Sequence, residues 1–389
     1  MTKNSRAQLA INGGKPEFDH ALHVGRPNVL NPDRVLKRIG EALDRRWLAN
    51  FGPLVKEFEA RVAEAAGTEH CLALTSATSA LEILVRARGL RGEVIVPSFT
   101  YVATAHALEW LGVTPVFCDI DEETANLDPA EVEKLITPQT SAIIGVHVWG
   151  RPCAVDVLPA LAAERGLTLL YDAAHAYGCS VDGRPIGGFG DAEVFSFHAT
   201  KFINAFEGGT ITTHDAELAE KVRSLHYFGF TPDGDVTAAG INAKMPEACA
   251  AMGLTSLEDM PEILAANRAN HELYTQHLAD VPGIRVRQPG LGERSNHQFV
   301  VLEVDPASAS LSRDELAALL TAENVLVRKH FNPGVHRLGP YRDNPGRHVR
   351  RPLTRTEALS GKVIQLPTGT EITADEVVRV CRLIELAVG

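Results

Sequence analysis

Between Glu69 and Thr213 the chain alternates short apolar runs with longer amphipathic ones. The runs His70–Leu74, Glu93–Val96, Pro115–Cys118, Ala142–Val148, Thr168–Tyr171, Glu193–Phe197 and Gly209–Thr213 have the length and composition of strands. Helical patterns separate several of them, at Ala80–Arg88, Thr104–Leu111, Pro129–Leu135 and Val157–Arg165. The stretch Ala142-Ile143-Ile144-Gly145-Val146 is apolar on both faces, as a strand covered on both sides must be. The pattern predicts an α/β region built on a mostly parallel sheet.

The texture changes after Met245. A long amphipathic helix is predicted over Met260–Leu278, interrupted early by Pro261. Strands at Gln298–Val304 and Val325–Arg328 flank a helix around Arg313–Ala322. A helix at Thr354–Ser360, a strand at Val363–Leu366 and a helix at Ala374–Ala387 follow. At 389 residues the chain exceeds the ~250–300 at which single cores stop growing. Two domains are therefore expected: a large α/β domain over 1–255, with its N-terminal segment wrapping around it, and a smaller α+β domain over 256–389. The connection Asn332–Arg350, rich in Pro, Gly, His and Arg, is too long for a plain connector, and such loops are functional or disordered.

Charge narrows the function. With 38 basic and 49 acidic residues the net charge is −11, which speaks against a nucleic-acid groove. Local arginines and helix ends can still hold a phosphate-bearing small molecule. The six cysteines have no C-x-x-C spacing, so neither a metal site nor a disulfide framework is expected, and a reducing compartment fits. Met1–Lys15 has no apolar core of a signal peptide, and no apolar run approaches the ~18 residues of a membrane span, so a cytoplasmic protein is expected.

Candidate chemistry clusters after the strands. Lys201, in Ser196-Phe197-His198-Ala199-Thr200-Lys201, follows one strand, and Asp172 ends another. A lysine amine that condenses with an aldehyde, beside a carboxylate that keeps a pyridinium nitrogen protonated, is what pyridoxal phosphate chemistry needs. The apolar neighbours Phe202 and Ile203 predict a desolvated, activated amine. Asp172 equally suits a helix cap after its strand. Ser76-Ala77-Thr78 opens a helix where free backbone N–H groups face an anion, or where Ser76 or Thr78 simply caps it. Tyr101 can stack on a flat ring or pack in the core. His175 can contact such a ring or sit as an ordinary core histidine, and Ser196 and His198 lie close to whatever Lys201 binds.

Taken together, these segments resemble the DegT/DnrJ/EryC1/StrS family of sugar aminotransferases. The resemblance spans nearly the whole chain, from Gly25-Arg26-Pro27 onward, and rests on four stretches: Thr75 to Leu81, Pro97 to Tyr101, Asp172 to Gly178, and Phe195 to Lys201 followed by Glu207-Gly208-Gly209. It implies the aspartate-aminotransferase-like fold type I of PLP-dependent transferases, with pyridoxal 5′-phosphate as cofactor and its pyridoxamine form as intermediate state. Lys201 would be the Schiff-base lysine, Asp172 the pyridinium partner, Tyr101 the stacking aromatic and His175 a ring contact. Ser76, Ala77, Thr78 and Ser196 would hold the phosphate, with His198 in the pocket wall. Asn242 matches an asparagine that reaches the neighbouring subunit's phosphate, which implies a homodimer with shared sites. Arg26, His330 and His336 are candidate substrate contacts.

The implied reaction moves an amino group from L-glutamate to a nucleotide-linked 4-keto-6-deoxy sugar, dTDP-4-keto-6-deoxyglucose becoming dTDP-4-amino-4,6-dideoxyglucose for deoxyaminosugar and antibiotic pathways. Amination of a 3-keto sugar or an inosose, and a non-catalytic regulator on the same scaffold, are the alternatives. The sugar dehydratases of this family replace the lysine with histidine, and Lys201 separates the chain from them. Two departures stand out: His330 where relatives carry tyrosine, and Phe206 where many carry glycine.

Overall fold

The computed structural model of the chain describes residues 3–389. Seven strands form the main sheet: β1 (His70–Leu74), β2 (Glu93–Pro97), β3 (Thr114–Cys118), β4 (Thr140–Val146), β5 (Thr168–Asp172), β6 (Ala192–Ser196) and β7 (Gly209–Thr213). Their order is β1-β7-β6-β5-β4-β2-β3. Strand β7 runs antiparallel to both neighbours and the other pairs are parallel. Alternate residues feed two separate cores, as a two-residue side-chain period requires. Leu72, Val94, Ile144, Leu170 and Val194 face one side, and Ala73, Ile95, Ile143, Leu169 and Phe195 the other.

Helices cover both faces. They are α1 (Pro32–Arg45), α2 (Pro53–Ala66), α3 (Ala77–Ala87), α4 (Val102–Glu109), α5 (Pro129–Leu135), α6 (Leu158–Arg165) and α7 (Ala216–Leu225). Next comes α8, a 32-residue helix from Glu247 to Leu278. It begins 13 residues before the expected start at Met260 and runs through Pro261 without a break. Pro261 is exposed, and burial on either side of it holds the helix together.

Strands β8 (Ile284–Val286), β9 (Val300–Val304) and β10 (Val363–Leu366) form a small antiparallel sheet under α9 (Arg313–Ala322), α10 (Thr354–Ser360) and α11 (Ala374–Val388). Helix α8 belongs to both cores: Ala250, Ala251 and Leu254 pack under the large sheet, and Tyr274 and Leu278 join the core of the small one. A boundary after residue 255 therefore falls inside a continuous helix. The first residues also go to the smaller core rather than around the larger. Leu9, Phe18 and Leu22 pack there, and Leu22–His23 pairs with Val325–Leu326, the only regular part of the strand expected to reach Arg328.

The long Asn332–Arg350 segment is ordered into short helical turns at the free edge of β3. Tyr341 is fully buried against Phe117, His348 Nδ1–H donates to the Pro115 carbonyl at 3.0 Å, and Val349 bridges to Phe117. Covering an edge strand blocks pairing with other chains. The same segment ties β2's exit to α10 through His336, which lies 2.6 Å from the Ser98 hydroxyl and 3.1 Å from Glu357.

Candidate active site

Parallel strands place their carboxyl ends on one side of a sheet, and ligands bind there in open α/β sheets. On that side β5 ends in Asp172, β6 leads into the Lys201 loop, β1 hands over to α3 at Ser76, and β2 leads to Tyr101, the N-cap residue of α4. The Lys201 loop is pinned from several directions. Phe197 N–H donates to the Gly208 carbonyl at 2.9 Å, Ala205 N–H to Phe197 at 2.8 Å, and Lys201 N–H to His198 at 2.8 Å. Asn28 Nδ2 donates to the Phe202 carbonyl at 3.0 Å, while the Asn28 side-chain oxygen accepts from Thr370. Buried Phe202 and Ile203 complete the anchor.

Asp172 is buried with both oxygens occupied once: Thr104 Oγ1–H donates at 2.7 Å and the Ala174 N–H at 3.1 Å. A carboxylate can accept about four such bonds, so each oxygen keeps room for another donor. Three residues on, His175 Nδ1 accepts the Trp149 N–H at 3.2 Å, which puts the ring proton on Nε2. Trp149 is left-handed, φ 56°, in the turn beyond β4, which stops at Val146 rather than continuing to Val148. Burial, aided by the Lys201 and His330 charges, pushes His175 well below the ordinary imidazole range, so it stays neutral. Its ring lies parallel to Phe331, 6.0 Å away, and edge-on to Phe299 at 4.6 Å.

Desolvation, opposed by the Asp172 charge and aided by the smaller effect of Arg328, lowers the Lys201 amine from 10.5 to about 8. Burial with the Arg328 and Lys201 charges drops His330 to about 4. Arg328 itself is half-buried and forms no ion pair among the described residues. The Arg328 guanidinium and Thr200 lie beside Gly25, where a Cβ would meet the Thr200 carbonyl at 3.2 Å and Nη1 of Arg328 at 3.3 Å. Tyr101 stands exposed at the rim, 6.5 Å from the His330 ring.

At the start of α3, Ser76 and Ser79 form a reciprocal capping box, the Ser76 hydroxyl accepting the Ser79 N–H at 3.1 Å. The capping alternative thus holds for the Ser76 side chain. The N–H groups of Ala77 and Thr78 meet no acceptor among the described residues, which leaves the helix end open to an anion. Gly209 lies directly against this turn: a Cβ there would sit 2.4 Å from the Ala77 nitrogen and 2.6 Å from the Ser76 oxygen. Ser196 is opposite Gly209 in the sheet register, so it borders the same cup.

A family model described as the DegT/DnrJ/EryC1/StrS aminotransferase family matches residues 32–385. The chain belongs to that family. It is 32% identical over 369 residues to a dTDP-4-amino-4,6-dideoxy-D-glucose transaminase of Escherichia coli, covering 94% of this chain and 98% of that one. It is 36% identical to a GDP-perosamine synthase of Caulobacter vibrioides over 345 residues, 87% and 91% of the two chains. A crystal structure of DesI in the presence of its TDP-sugar product is 53% identical and superposes with a TM-score of 0.94, over 98% of this chain and 96% of that one. The fold is the family's α/β aminotransferase fold.

Not every residue expected in this aminotransferase site gathers there. His198 turns to its own loop: its Nδ1 accepts from the Thr200 N–H at 3.2 Å and from the Thr200 hydroxyl at 2.9 Å, and Nε2 lies 3.4 Å from Glu207. His336 is a buried pin, with Nδ1 2.6 Å from the Ser98 hydroxyl and Nε2 3.1 Å from Glu357, so neither nitrogen is free for a substrate. Arg26 is exposed next to Gly25. Asn242 is exposed, accepts from Lys244 Nζ at 2.5 Å, and bridges to Tyr227. Thr104, Trp149 and Arg328 belong to the site and were not singled out as site residues from sequence. Only the spacing of Thr100 and Thr104, one helical turn apart around Tyr101, carried a signal for the first.

Proposed function

We propose that this sugar aminotransferase moves an amino group from L-glutamate to C4 of a nucleotide-linked 4-keto-6-deoxy sugar, dTDP-4-keto-6-deoxyglucose in particular, with pyridoxal 5′-phosphate bound at Lys201. The observation that carries the reading is a desolvated amine near pKa 8 in the same site as a buried carboxylate, at the carboxyl ends of β6 and β5. The residues present suit the cofactor. Gly209 clears the mouth of the α3 cup for a phosphate, and Asp172 retains acceptor capacity for a ring N–H.

When bound, that group supplies an electron sink that lets the nitrogen and a proton change carbon. The remaining work falls to the protein. Lys201, neutral in a good fraction of molecules near pH 8, would hold the cofactor's carbonyl carbon and, when free, would act as the base that takes up and returns a proton. Asp172 would hold positive charge on the cofactor's ring nitrogen. Neutral His175 offers Nε2–H without adding a charge. Ala77, Thr78 and Ser196 would hold the cofactor's phosphate, and Tyr101 at the rim would cover its ring. Arg328 and His330 face the substrate side, where the unpaired guanidinium suits an anionic group of the donor or of the nucleotide.

The similarity to the Escherichia coli transaminase and to DesI supports the 4-keto sugar and the thymidine nucleotide. A homodimer in the cytoplasm, with Asn242 serving the partner's phosphate, is part of the same reading. It is supported by the exposed apolar residues Trp47, Leu48, Phe228 and Ile241, which a second copy would cover. No helix among the described residues is long and apolar enough to cross a membrane. The test offers the amino-loaded enzyme a panel of dTDP-, UDP- and GDP-linked 4-keto-6-deoxy sugars, a 3-keto isomer and an inosose, with products read by mass spectrometry. Amination of the dTDP 4-keto sugar is expected. Preference for the 3-keto sugar or the inosose would overturn the substrate, and failure to bind pyridoxal phosphate would overturn the reaction.

A further inference from the structure

Behind Asp172 lies a hydroxyl chain that the reaction scheme leaves unused. Thr104 Oγ1 is 2.7 Å from Asp172 Oδ2, and Thr100 Oγ1 is 2.9 Å from Thr104 Oγ1. Both threonines are buried, Thr104 completely and Thr100 to within 2%. The direction of the chain follows from valence. An ionised carboxylate only accepts, so Thr104 donates to Asp172 and its one proton is spent. Thr104 can then only accept from its neighbour, so Thr100 donates to Thr104.

We propose that Thr104, oriented by Thr100, is a positioning residue that fixes the Asp172 carboxylate for the ring nitrogen of the cofactor. The proposal rests on the pyridoxal reading above. Two donors from separate elements, Thr104 on α4 and the Ala174 N–H after β5, hold one oxygen each, so the carboxyl group cannot rotate about its own axis without breaking one of them. Hydrogen bonds to an ionised acceptor are the strong ones, and in a buried setting they are not exchanged for water. The first turn of α4 does two jobs at once. Tyr101 caps it at the rim, and three residues on, Thr104, whose N–H reaches back to the Tyr101 carbonyl at 3.3 Å, holds the carboxylate. A shift of that turn would move the ring-covering aromatic and the carboxylate clamp together.

The test compares two cofactors on the apoenzyme: pyridoxal phosphate and its 1-deaza analogue, which carries a ring carbon where the nitrogen would meet Asp172. Affinities come from absorbance titration, without turnover. Thr104→Val should weaken pyridoxal phosphate about 10-fold, the lower range for one hydrogen bond to a charged group, and leave the deaza analogue within about twofold. Thr104→Ser should restore wild-type affinity, and Thr100→Val should show the same selectivity with a smaller loss of about threefold. Equal losses for both compounds, or no loss with Thr104→Val, would overturn the proposal. If Thr104→Val does not fold, the selectivity of Thr100→Val decides alone. A wild type that binds neither compound would instead overturn the parent reading and the proposal with it.

Discussion

Lowering the Lys201 amine from 10.5 to about 8 has a measurable consequence before any substrate is present. At pH 7.5 an amine of pKa 8 is about 24% neutral, whereas one of pKa 10.5 is about 0.1% neutral, a difference of roughly 240-fold in the nucleophilic form. Limited acetylation of the apoenzyme across pH 6 to 11, followed by mass spectrometry of the peptide carrying Lys201, should give an inflection near 8. The neighbours set the signs of two further variants. Arg328→Met removes a cation and should move the inflection up; Asp172→Asn removes an anion and should move it down. Because the folded pKa lies below the unfolded one, the unfolded chain binds more protons between about pH 8 and 10.5, and apoenzyme stability should rise with pH over that window. Lys201→Met should abolish that rise. An inflection in the ordinary lysine range, or an upward shift in Asp172→Asn, would refute the reasoning.

Gly209→Ala places a methyl group 2.4 Å from the Ala77 nitrogen, so the α3 turn must move. Affinity for pyridoxal phosphate should fall by about 10-fold or more while affinity for pyridoxal, which has no phosphate, is kept; overpacking of this kind typically costs about 1–3 kcal/mol. His336→Phe removes the bonds to Ser98 and Glu357 and should lower unfolding free energy by about 1–3 kcal/mol, read by denaturant titration, with cofactor affinity unchanged. Mixing inactive Lys201→Ala chains with Asn242→Ala chains under subunit exchange should restore activity, since one site of each mixed dimer would carry both native residues. No recovery would contradict a shared site.

What could be read from residues in order was whatever depends on short range. The strands from His70 to Thr213 showed themselves within a residue or two of their observed ends because a two-sided apolar run has few other uses. The lysine after one strand, the aspartate ending another and the hydroxyl-rich entry to α3 were legible as chemistry for the same reason: each is set by a handful of neighbours. Helix α8 shows the limit, since Pro261 breaks an isolated helix but not one held by burial at both ends. The left-handed Trp149 just past β4 is another case, its N–H bonded to His175, 26 residues away.

The tertiary structure decided which groups act together. Thr104 meets Asp172 across 68 residues, and His336 is withdrawn from the site by Ser98, 238 residues before it. Burial and the charges of Asp172 and Arg328, far apart in sequence, set the amine of Lys201. Hydrogen-bond direction, desolvation and Coulomb forces depend on distance in space. The order of residues along a chain states that distance only for near neighbours, so the parts were visible in the sequence and their coupling was left to the fold.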